Sequence, residues 1–192
     1  LKQEFSDIRL IIAPRHPERF SEVERLIKDK GFSMIRRSEI RSQESEARSK
    51  KQEAQKNLAS YLLPLVSHPK SDVILLDTIG ELCNIYSLAT AAFVGGTLVD
   101  TGGHNLMEPA FYRKPVVYGP YLRGYLEMAE MLEKAGGGIR VNNGEGLFIK
   151  LRDLLNDKIS RENTGMAAYG IVESNRGATE KCLKVLESLL LE

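Results

Sequence analysis

Short apolar runs that alternate with helical patterns constrain the fold of this chain more than any other feature. The runs are rich in Val and Ile, apolar on both faces, and cover residues 8–13, 32–35, 73–76, 91–94, 115–118 and 139–141. Strands that are buried on both faces are typical of parallel sheets covered by helices on both sides. We therefore predict an α/β fold with a doubly wound, Rossmann-like parallel sheet.

The helices are predicted from apolar residues at helical spacing and from their end signals. They cover residues 17–30, 79–88, 105–112 and 125–135, and residues 144–191 are expected to form three more. Residues 38–60 are polar and carry charges of both signs, which favours a solvated helix or a loop over a nucleic-acid patch. We assign residues 43–70 to a polar insertion within the domain.

Composition excludes several classes of protein. The chain has 192 residues, 42% of them hydrophobic, which suits one globular, soluble domain with a proper core. Its net charge of +1 provides no general attraction for nucleic acid or acidic lipid. No apolar run approaches the roughly 20 residues that span a bilayer. Cys83 and Cys182 lie in predicted helices without a CxxC or His cluster, so we expect buried or half-buried thiols in a reducing compartment.

Loops that follow strands are where a ligand is expected. Doubly wound sheets bind their ligands beyond the carboxyl ends of the strands. Four loops meet this condition, at residues 14–18, 77–81, 95–108 and 119–124. We expect all four to lie along one edge of the sheet.

The longest of these loops contains two glycine pairs, at residues 95–96 and 102–103. Glycines allow a positive φ and a close approach of backbone to ligand. Asn105 is predicted to cap the following helix, so that the free N–H groups of its first turn favour a phosphate. Glu108, three residues later, could accept hydrogen bonds from two ribose hydroxyls. The alternative is that the glycines only make tight turns and Glu108 only complements the helix dipole.

The loop of residues 77–81 joins a strand to a helix. Asp77 or Thr78 is expected to cap that helix, and Gly80 leaves backbone exposed. The simpler interpretation is a plain capped helix with Glu81 at a favourable early position.

The loop after the first strand has the sequence Pro-Arg-His-Pro-Glu-Arg, at residues 14–19. Its prolines stiffen the chain and hold Arg15 and His16 where a nucleotide phosphate or base edge would lie. For His16 a positioning or stacking role is favoured over that of a catalytic base.

Taken together, these segments resemble those of the Kdo transferases, which transfer 3-deoxy-D-manno-octulosonic acid (Kdo) in lipopolysaccharide core synthesis. The similar segments are Pro-Arg-His-Pro-Glu-Arg, Asp-Thr-Ile-Gly-Glu-Leu and Phe-Val-Gly-Gly-Thr with Gly-Gly-His-Asn and Glu-Pro-Ala. The resemblance runs from about Leu10 to Leu155, although Gly124-Tyr125 stands where the family usually has Asn-Phe. It implies the C-terminal half of a two-domain, GT-B type glycosyltransferase, so residues 1–192 would be a donor-binding domain truncated at its N-terminus by one strand–helix unit.

The resemblance also implies a reaction: inverting transfer of Kdo from the donor CMP-Kdo to a lipid A precursor, at the cytoplasmic face of the bacterial inner membrane. The residues that would contact the CMP part are Pro14, Arg15, Thr78, Ile79, Gly80, Asn105, Leu106, Met107 and Glu108. The predicted donor-binding set is completed by His16, Glu81, Gly102, Gly103 and His104. The acceptor, the membrane-binding surface and the catalytic base would belong to an N-terminal domain, so no catalytic residue is assigned here. No cofactor or nucleic acid is expected. No metal is expected either, since the loops contain no Asp-x-Asp pair.

Two other functions remain open at this stage. A nucleotide-sugar epimerase of the UDP-N-acetylglucosamine type would also use a glycine-rich loop and a ribose-binding Glu, and fold alone does not separate the two enzymes. A non-catalytic nucleotide-binding domain is the second alternative. A preference for CMP over UDP would distinguish the transferase from the epimerase, and the sequence does not determine the oligomeric state.

Overall fold

The structure, a computed structural model, describes residues 1–48, 65 and 71–177. It forms two compact units, Leu1–Leu88 and Ala89–Glu192. Of the predicted insertion at 43–70, residues 43–48 belong to a helix and Leu65 is buried, whereas the others lie outside the described residues, as does Cys182. No helix among the described residues is long and apolar enough to cross a membrane.

The first unit contains a three-stranded parallel sheet with the strand order β1-β3-β2. Its elements are β1 (Leu10–Ile12), a 3-10 turn (Pro17–Arg19), α1 (Phe20–Asp29), β2 (Met34–Arg36), α2 (Arg37–Arg48), β3 (Val73–Leu75), α3 (Leu82–Ile85) and a 3-10 turn (Tyr86–Leu88). The central strand β3 is buried throughout, and Ile74 packs with Ile35, Ile40 and Ile85. Because β3 lies between the other two strands, the end of β2 is brought beside the end of β3.

The second unit contains another three-stranded parallel sheet, with the order β4-β5-β6. Its elements are β4 (Ala92–Phe93), α4 (Met107–Phe111), β5 (Val116–Tyr118), α5 (Leu126–Lys134), β6 (Gly138–Arg140), α6 (Gly144–Asn156) and α7 (Lys158–Ser174). All three residues of the central strand β5 are fully buried.

Helices cover both faces of the sheet in the second unit. Val116 and Tyr118 pack with Leu132 of α5 and Ala168 of α7 in one apolar cluster. The side chain between them, Val117, points to the other face, as alternation along a strand requires, and packs with residues of α6. This confirms the predicted α/β architecture of parallel strands and helices. The burial predicted for the first strand is wrong, because Leu10 is 54% exposed and Ile11 and Ile12 are only half-buried.

Several local predictions are corrected by the structure. The helix predicted over 79–88 begins only at Leu82, and the one predicted over 105–112 covers only Met107–Phe111. Cys83 is exposed, so the prediction of a buried or half-buried thiol is wrong for this residue. It lies on a helix of only four residues, which has too few turns to bury all of its sides. Two of the three helices predicted over 144–191 are present, and the third falls outside the described residues.

Candidate functional site

In each unit, loops that were predicted to bind a ligand follow neighbouring parallel strands. In the first unit they follow β1 and β3, which are hydrogen-bonded neighbours. In the second unit they follow β4 and β5, which also pair directly. Parallel neighbours end at the same edge of a sheet, so each unit presents two of the predicted loops together. The four loops thus belong to two separate sheets, not to one edge of a single sheet as predicted.

The loop after β1 presents its cation to solvent. Pro14 is half-buried, whereas Arg15 and His16 are exposed, and Pro17 begins the 3-10 turn. His16 Nδ1 lies 3.6 Å from Glu18 Oε1. An exposed guanidinium at the carboxyl end of a strand can donate two parallel hydrogen bonds to one phosphate.

The loop after β3 has an open tip. Ile79 is 87% exposed, although it is a large apolar side chain. Gly80 has a φ of +83°, and a Cβ at this position would meet no atom within 4 Å. The backbone of this tip is therefore accessible to a ligand.

Glu81, by contrast, is buried and engaged within the first unit. Its Oε2 accepts hydrogen bonds from Arg37 Nε at 3.0 Å and from Thr78 Oγ1 at 2.8 Å. Its Oε1 accepts one from Arg41 Nη1 at 3.1 Å. The Arg37 side chain is fully buried, so this is an ion pair inside the protein. Glu81 was predicted to contact the donor, but both oxygens of its carboxylate already accept hydrogen bonds from residues of the first unit.

Asp77 also acts within this unit, as a partner of α2. Its carboxylate accepts hydrogen bonds from the backbone N–H of Ser38 at 2.9 Å and from the Ser38 hydroxyl at 2.6 Å. The predicted capping of the next helix by Asp77 or Thr78 is wrong, because α3 is preceded by Glu81 and has no side-chain cap. The cause is the pairing of β2 with β3, which places the first turn of α2 beside Asp77.

The glycine-rich loop of the second unit folds upon itself. Gly96 has a φ of +79°, and a Cβ there would lie 2.6 Å from the carbonyl oxygen of Gly102. A Cβ at Gly103 would lie 2.7 Å from Cγ2 of Thr97. Glycine is required at these places by internal packing. The tight-turn interpretation therefore accounts for much of this motif.

Thr97 joins the loops that follow β4 and β5. Its fully buried hydroxyl donates to the carbonyl of Val94 at 2.6 Å and accepts from the backbone N–H of Gly119 at 2.7 Å. Its carbonyl accepts from the N–H of Tyr121 at 3.0 Å. One residue thus sets the spacing of both loops.

The start of α4 differs in detail from the prediction. The capping position is occupied by Leu106, which forms no side-chain cap bond, so the predicted cap by Asn105 is wrong. Asn105 lies one residue earlier, and its Oδ1 accepts a hydrogen bond from the N–H of Met107 at 3.0 Å, so that N–H is occupied. The helix has only five residues, which limits its dipole. Leu106 is fully buried in the core and can offer a ligand only its backbone.

Four of the predicted side chains in this region are half-buried: His104, Asn105, Met107 and Glu108. Glu108 lies in the first turn of α4. Among the described residues none forms a hydrogen bond or an ion pair with the Glu108 carboxylate. This carboxylate is therefore available to a ligand in a way that Glu81 is not.

Sequence reasoning overlooked two residues that organise these loops, Arg37 and Thr97. Arg37 follows β2, and applying the strand-end rule to that strand as well would have found it. Thr97 has no comparable signal, because its role depends on a bond to a residue 22 positions away. In the described parts of the chain no group of three His, Cys, Asp or Glu side chains could hold a metal ion.

Comparison with known proteins gives consistent relatives, although no family model matches the chain. It is 35% identical over 191 residues to a 3-deoxy-D-manno-octulosonic acid transferase of Haemophilus influenzae, covering 99% of this chain and 39% of that protein. A second transferase of the same name, from Aquifex aeolicus, is 35% identical over 158 residues, covering 82% of this chain and 36% of that protein. The chain therefore spans less than half the length of these relatives.

A solved structure shows the same fold. It is the C-terminal CMP-Kdo binding domain of WaaA from Acinetobacter baumannii, with a TM-score of 0.71 and 23% sequence identity. The match covers 89% of this chain and 77% of that one.

Proposed function

We propose that this chain, a homologue of the Kdo transferases over nearly its whole length, is the donor-binding domain of an inverting glycosyltransferase that uses CMP-Kdo. The observation that carries the proposal is the 35% identity to a named Kdo transferase over 99% of the chain. The described loops support it, since the segments that resemble those of the family follow the carboxyl ends of parallel strands in each unit.

The chemistry of the loops suits a nucleoside monophosphate leaving group. The exposed Arg15 would bind the phosphate, and the accessible backbone of Thr78, Ile79 and Gly80 would offer N–H donors to it. Donors that are already in place when negative charge develops on the departing CMP lower the barrier to transfer. The carboxylate of Glu108, with which no described residue forms a hydrogen bond or an ion pair, would accept hydrogen bonds from the ribose hydroxyls.

The remaining parts of the reaction belong to the proposed whole enzyme. The acceptor would be a lipid A precursor, and its hydroxyl would attack the anomeric carbon of Kdo as CMP leaves. The catalytic base and the surface that meets the cytoplasmic face of the inner membrane would lie in an N-terminal domain.

A binding titration tests the proposal directly. The chain is titrated calorimetrically with CMP, UMP and free Kdo. We expect saturable binding of CMP that is tighter than that of UMP, because the loops should discriminate the base as well as bind the phosphate. Tighter binding of UMP, or no binding of CMP, would contradict the proposal.

A pair of arginine variants makes this test specific. Arg15→Ala should weaken CMP binding by about tenfold or more, because a hydrogen bond to a charged group is worth roughly 1.5–3 kcal/mol. Arg19→Ala is the matched control, since Arg19 is also exposed, lies in the same segment and is not among the residues predicted to contact CMP; its Nε lies 3.3 Å from Glu22 Oε2. Equal CMP affinity in both variants would remove Arg15 from the site.

A further inference from the structure

A buried carboxylate fastens both ends of the loop formed by residues 78–80 to the start of α2. Glu81, at the end of the loop, accepts from Arg37 Nε at 3.0 Å and from Arg41 Nη1 at 3.1 Å. Thr78, at its beginning, donates its hydroxyl to the same carboxylate at 2.8 Å. The loop is thus closed by one side chain and fixed to the helix behind it.

A second contact holds the chain just before the loop. Asp77 accepts from both the N–H and the hydroxyl of Ser38, in the first turn of α2. Between these two fixed ends, Ile79 is 87% exposed and Gly80 has open space where a Cβ would be. Fixed ends with an accessible tip are the arrangement expected of a preorganised binding loop.

We propose that Arg37 and Glu81 are positioning residues, which hold the loop of residues 78–80 in the conformation that binds the nucleotide without contacting it themselves. The inference rests on the proposed function of this chain as a CMP-Kdo binding domain. It assigns Glu81 a different task from its neighbours in the loop, since both of its carboxylate oxygens accept hydrogen bonds within the first unit.

A buried ion pair is a costly way to join a helix to a loop. Replacing both of its charges by apolar side chains of similar volume often leaves a protein equally stable. Removing only one charge is destabilising, because the other charge stays buried without a partner. Apolar side chains cannot, however, form the directional hydrogen bonds that a planar guanidinium donates to a carboxylate. Replacing both residues therefore tests the orientation of the loop of residues 78–80 separately from the stability of the protein.

The test compares the wild-type chain with Arg37→Met/Glu81→Met. We expect the double variant to unfold cooperatively in urea with a midpoint close to that of the wild type. Its affinity for CMP should nevertheless fall by about tenfold or more, because misplacement of a binding loop by even 1 Å is costly. Hydrogen exchange at the amides of Ile79 and Gly80 should become faster.

Asp72→Asn is the control at the opposite end of the same strand. The Asp72 carboxylate accepts from the Ser33 hydroxyl at 2.7 Å and lies 3.0 Å from Lys2 Nζ. Its replacement should lower the urea midpoint but leave the affinity for CMP unchanged. A parallel loss of CMP affinity in this control would show that general destabilisation accounts for the effect, and would overturn the inference.

The remaining outcomes are also decisive. Wild-type CMP affinity in a folded double variant overturns the inference and leaves the proposed function standing, whereas absence of CMP binding by the wild type overturns both. If the double variant does not fold, the inference is tested by hydrogen exchange of the wild-type protein with and without CMP. Saturation with CMP should then slow the exchange of the buried Arg37 Nε–H, and an unchanged rate would refute the positioning role.

Discussion

At the scale of single residues, two glutamates that stand early in loop–helix segments have different surroundings. Glu81 is 6% exposed and paired with Arg37 and Arg41. Glu108 is half-buried, and no described residue forms a hydrogen bond or an ion pair with it. The same residue type therefore serves as a structural anchor in one loop and is a candidate ligand group in the other.

Glu108→Gln keeps the size of the side chain and removes its charge. If Glu108 accepts hydrogen bonds from the ribose, CMP affinity should fall by about tenfold, because each hydrogen bond to a charged group is worth roughly 1.5–3 kcal/mol. The deoxyribose analogue of CMP should bind the wild type more weakly than CMP does. It should bind the variant about as weakly as it binds the wild type. Calorimetric titration of both proteins with both nucleotides measures this, and four equal affinities would exclude Glu108 from the site.

Thr97→Val tests the residue that joins the loops after β4 and β5. The variant leaves the buried N–H of Gly119 without its acceptor, which should cost about 1–3 kcal/mol of unfolding free energy. Thr97→Ser is the matched control, since it keeps the hydroxyl and should lose only about 0.8 kcal/mol for the missing methyl group. Urea unfolding of both variants provides the comparison, and an equal loss would contradict the greater importance assigned to the hydrogen bond.

At the scale of elements, the contact between α7 and the turn after α4 depends on a glycine. A Cβ at Gly165 would lie 2.0 Å from the carbonyl oxygen of Arg113, whose own φ is +58°. Gly170, one and a half turns further along the same helix, has nothing within 4 Å of its Cβ position. The two glycines therefore differ only in their surroundings.

The same substitution at these two positions should have opposite effects. Gly165→Ala should destabilise the protein by about 1–3 kcal/mol, because the helix must move away from Arg113. Gly170→Ala should stabilise it by roughly 0.5–1 kcal/mol through the higher helix propensity of alanine. Thermal and urea unfolding measure both changes, and equal signs would contradict the packing argument.

The beginning of strand β3 predicts an acid-dependent stability. Hydrogen bonds from the Ser33 hydroxyl, then those from Lys2 and from the Ser33 backbone, lower the pKa of Asp72 from 3.8 to about 2. A carboxylate with a lowered pKa in the folded state stabilises the protein above its unfolded pKa, and this stabilisation is lost as the pH falls towards the folded value. Asp72→Asn should thus be less stable at neutral pH and lose less on acidification between pH 3.8 and about 2. Urea unfolding at several pH values measures this, and parallel profiles would contradict it.

At the scale of the whole molecule, the chain spans 39% of the length of its Haemophilus influenzae relative. We expect residues 1–192 to bind CMP but not to transfer Kdo to a lipid A precursor, because the acceptor-binding surface and the base are assigned to an N-terminal domain. An assay with CMP-Kdo and the lipid acceptor checks this, with a full-length Kdo transferase as the positive control. Robust transfer by this chain alone would refute the assignment.

The order and type of most elements followed from the sequence alone, because they depend on local patterns, whereas α2 was left open between a helix and a loop. Runs such as Val73–Leu75 and Val116–Tyr118 are apolar on successive residues, and a strand covered on both faces buries such a run. The glycine, His and Asn residues of the long loop, with the two shorter loops, were enough to indicate the family. The boundaries of short helices such as α3 and α4 were less well predicted, since no apolar repeat extends over so few residues.

Only the tertiary structure decided which polar residues of these loops are available to a ligand. The strand order β1-β3-β2 brings Arg37 and Ser38 beside Glu81 and Asp77, which lie about 40 positions further along the chain. These contacts engage two carboxylates for which the sequence predicted other roles, a helix cap for Asp77 and a ligand contact for Glu81. Likewise, Thr97 reaches Gly119 only because β4 and β5 are neighbours. Such contacts depend on which strands pair, and strand pairing is set by the packing of the whole sheet and its helices, which no local pattern of residues specifies.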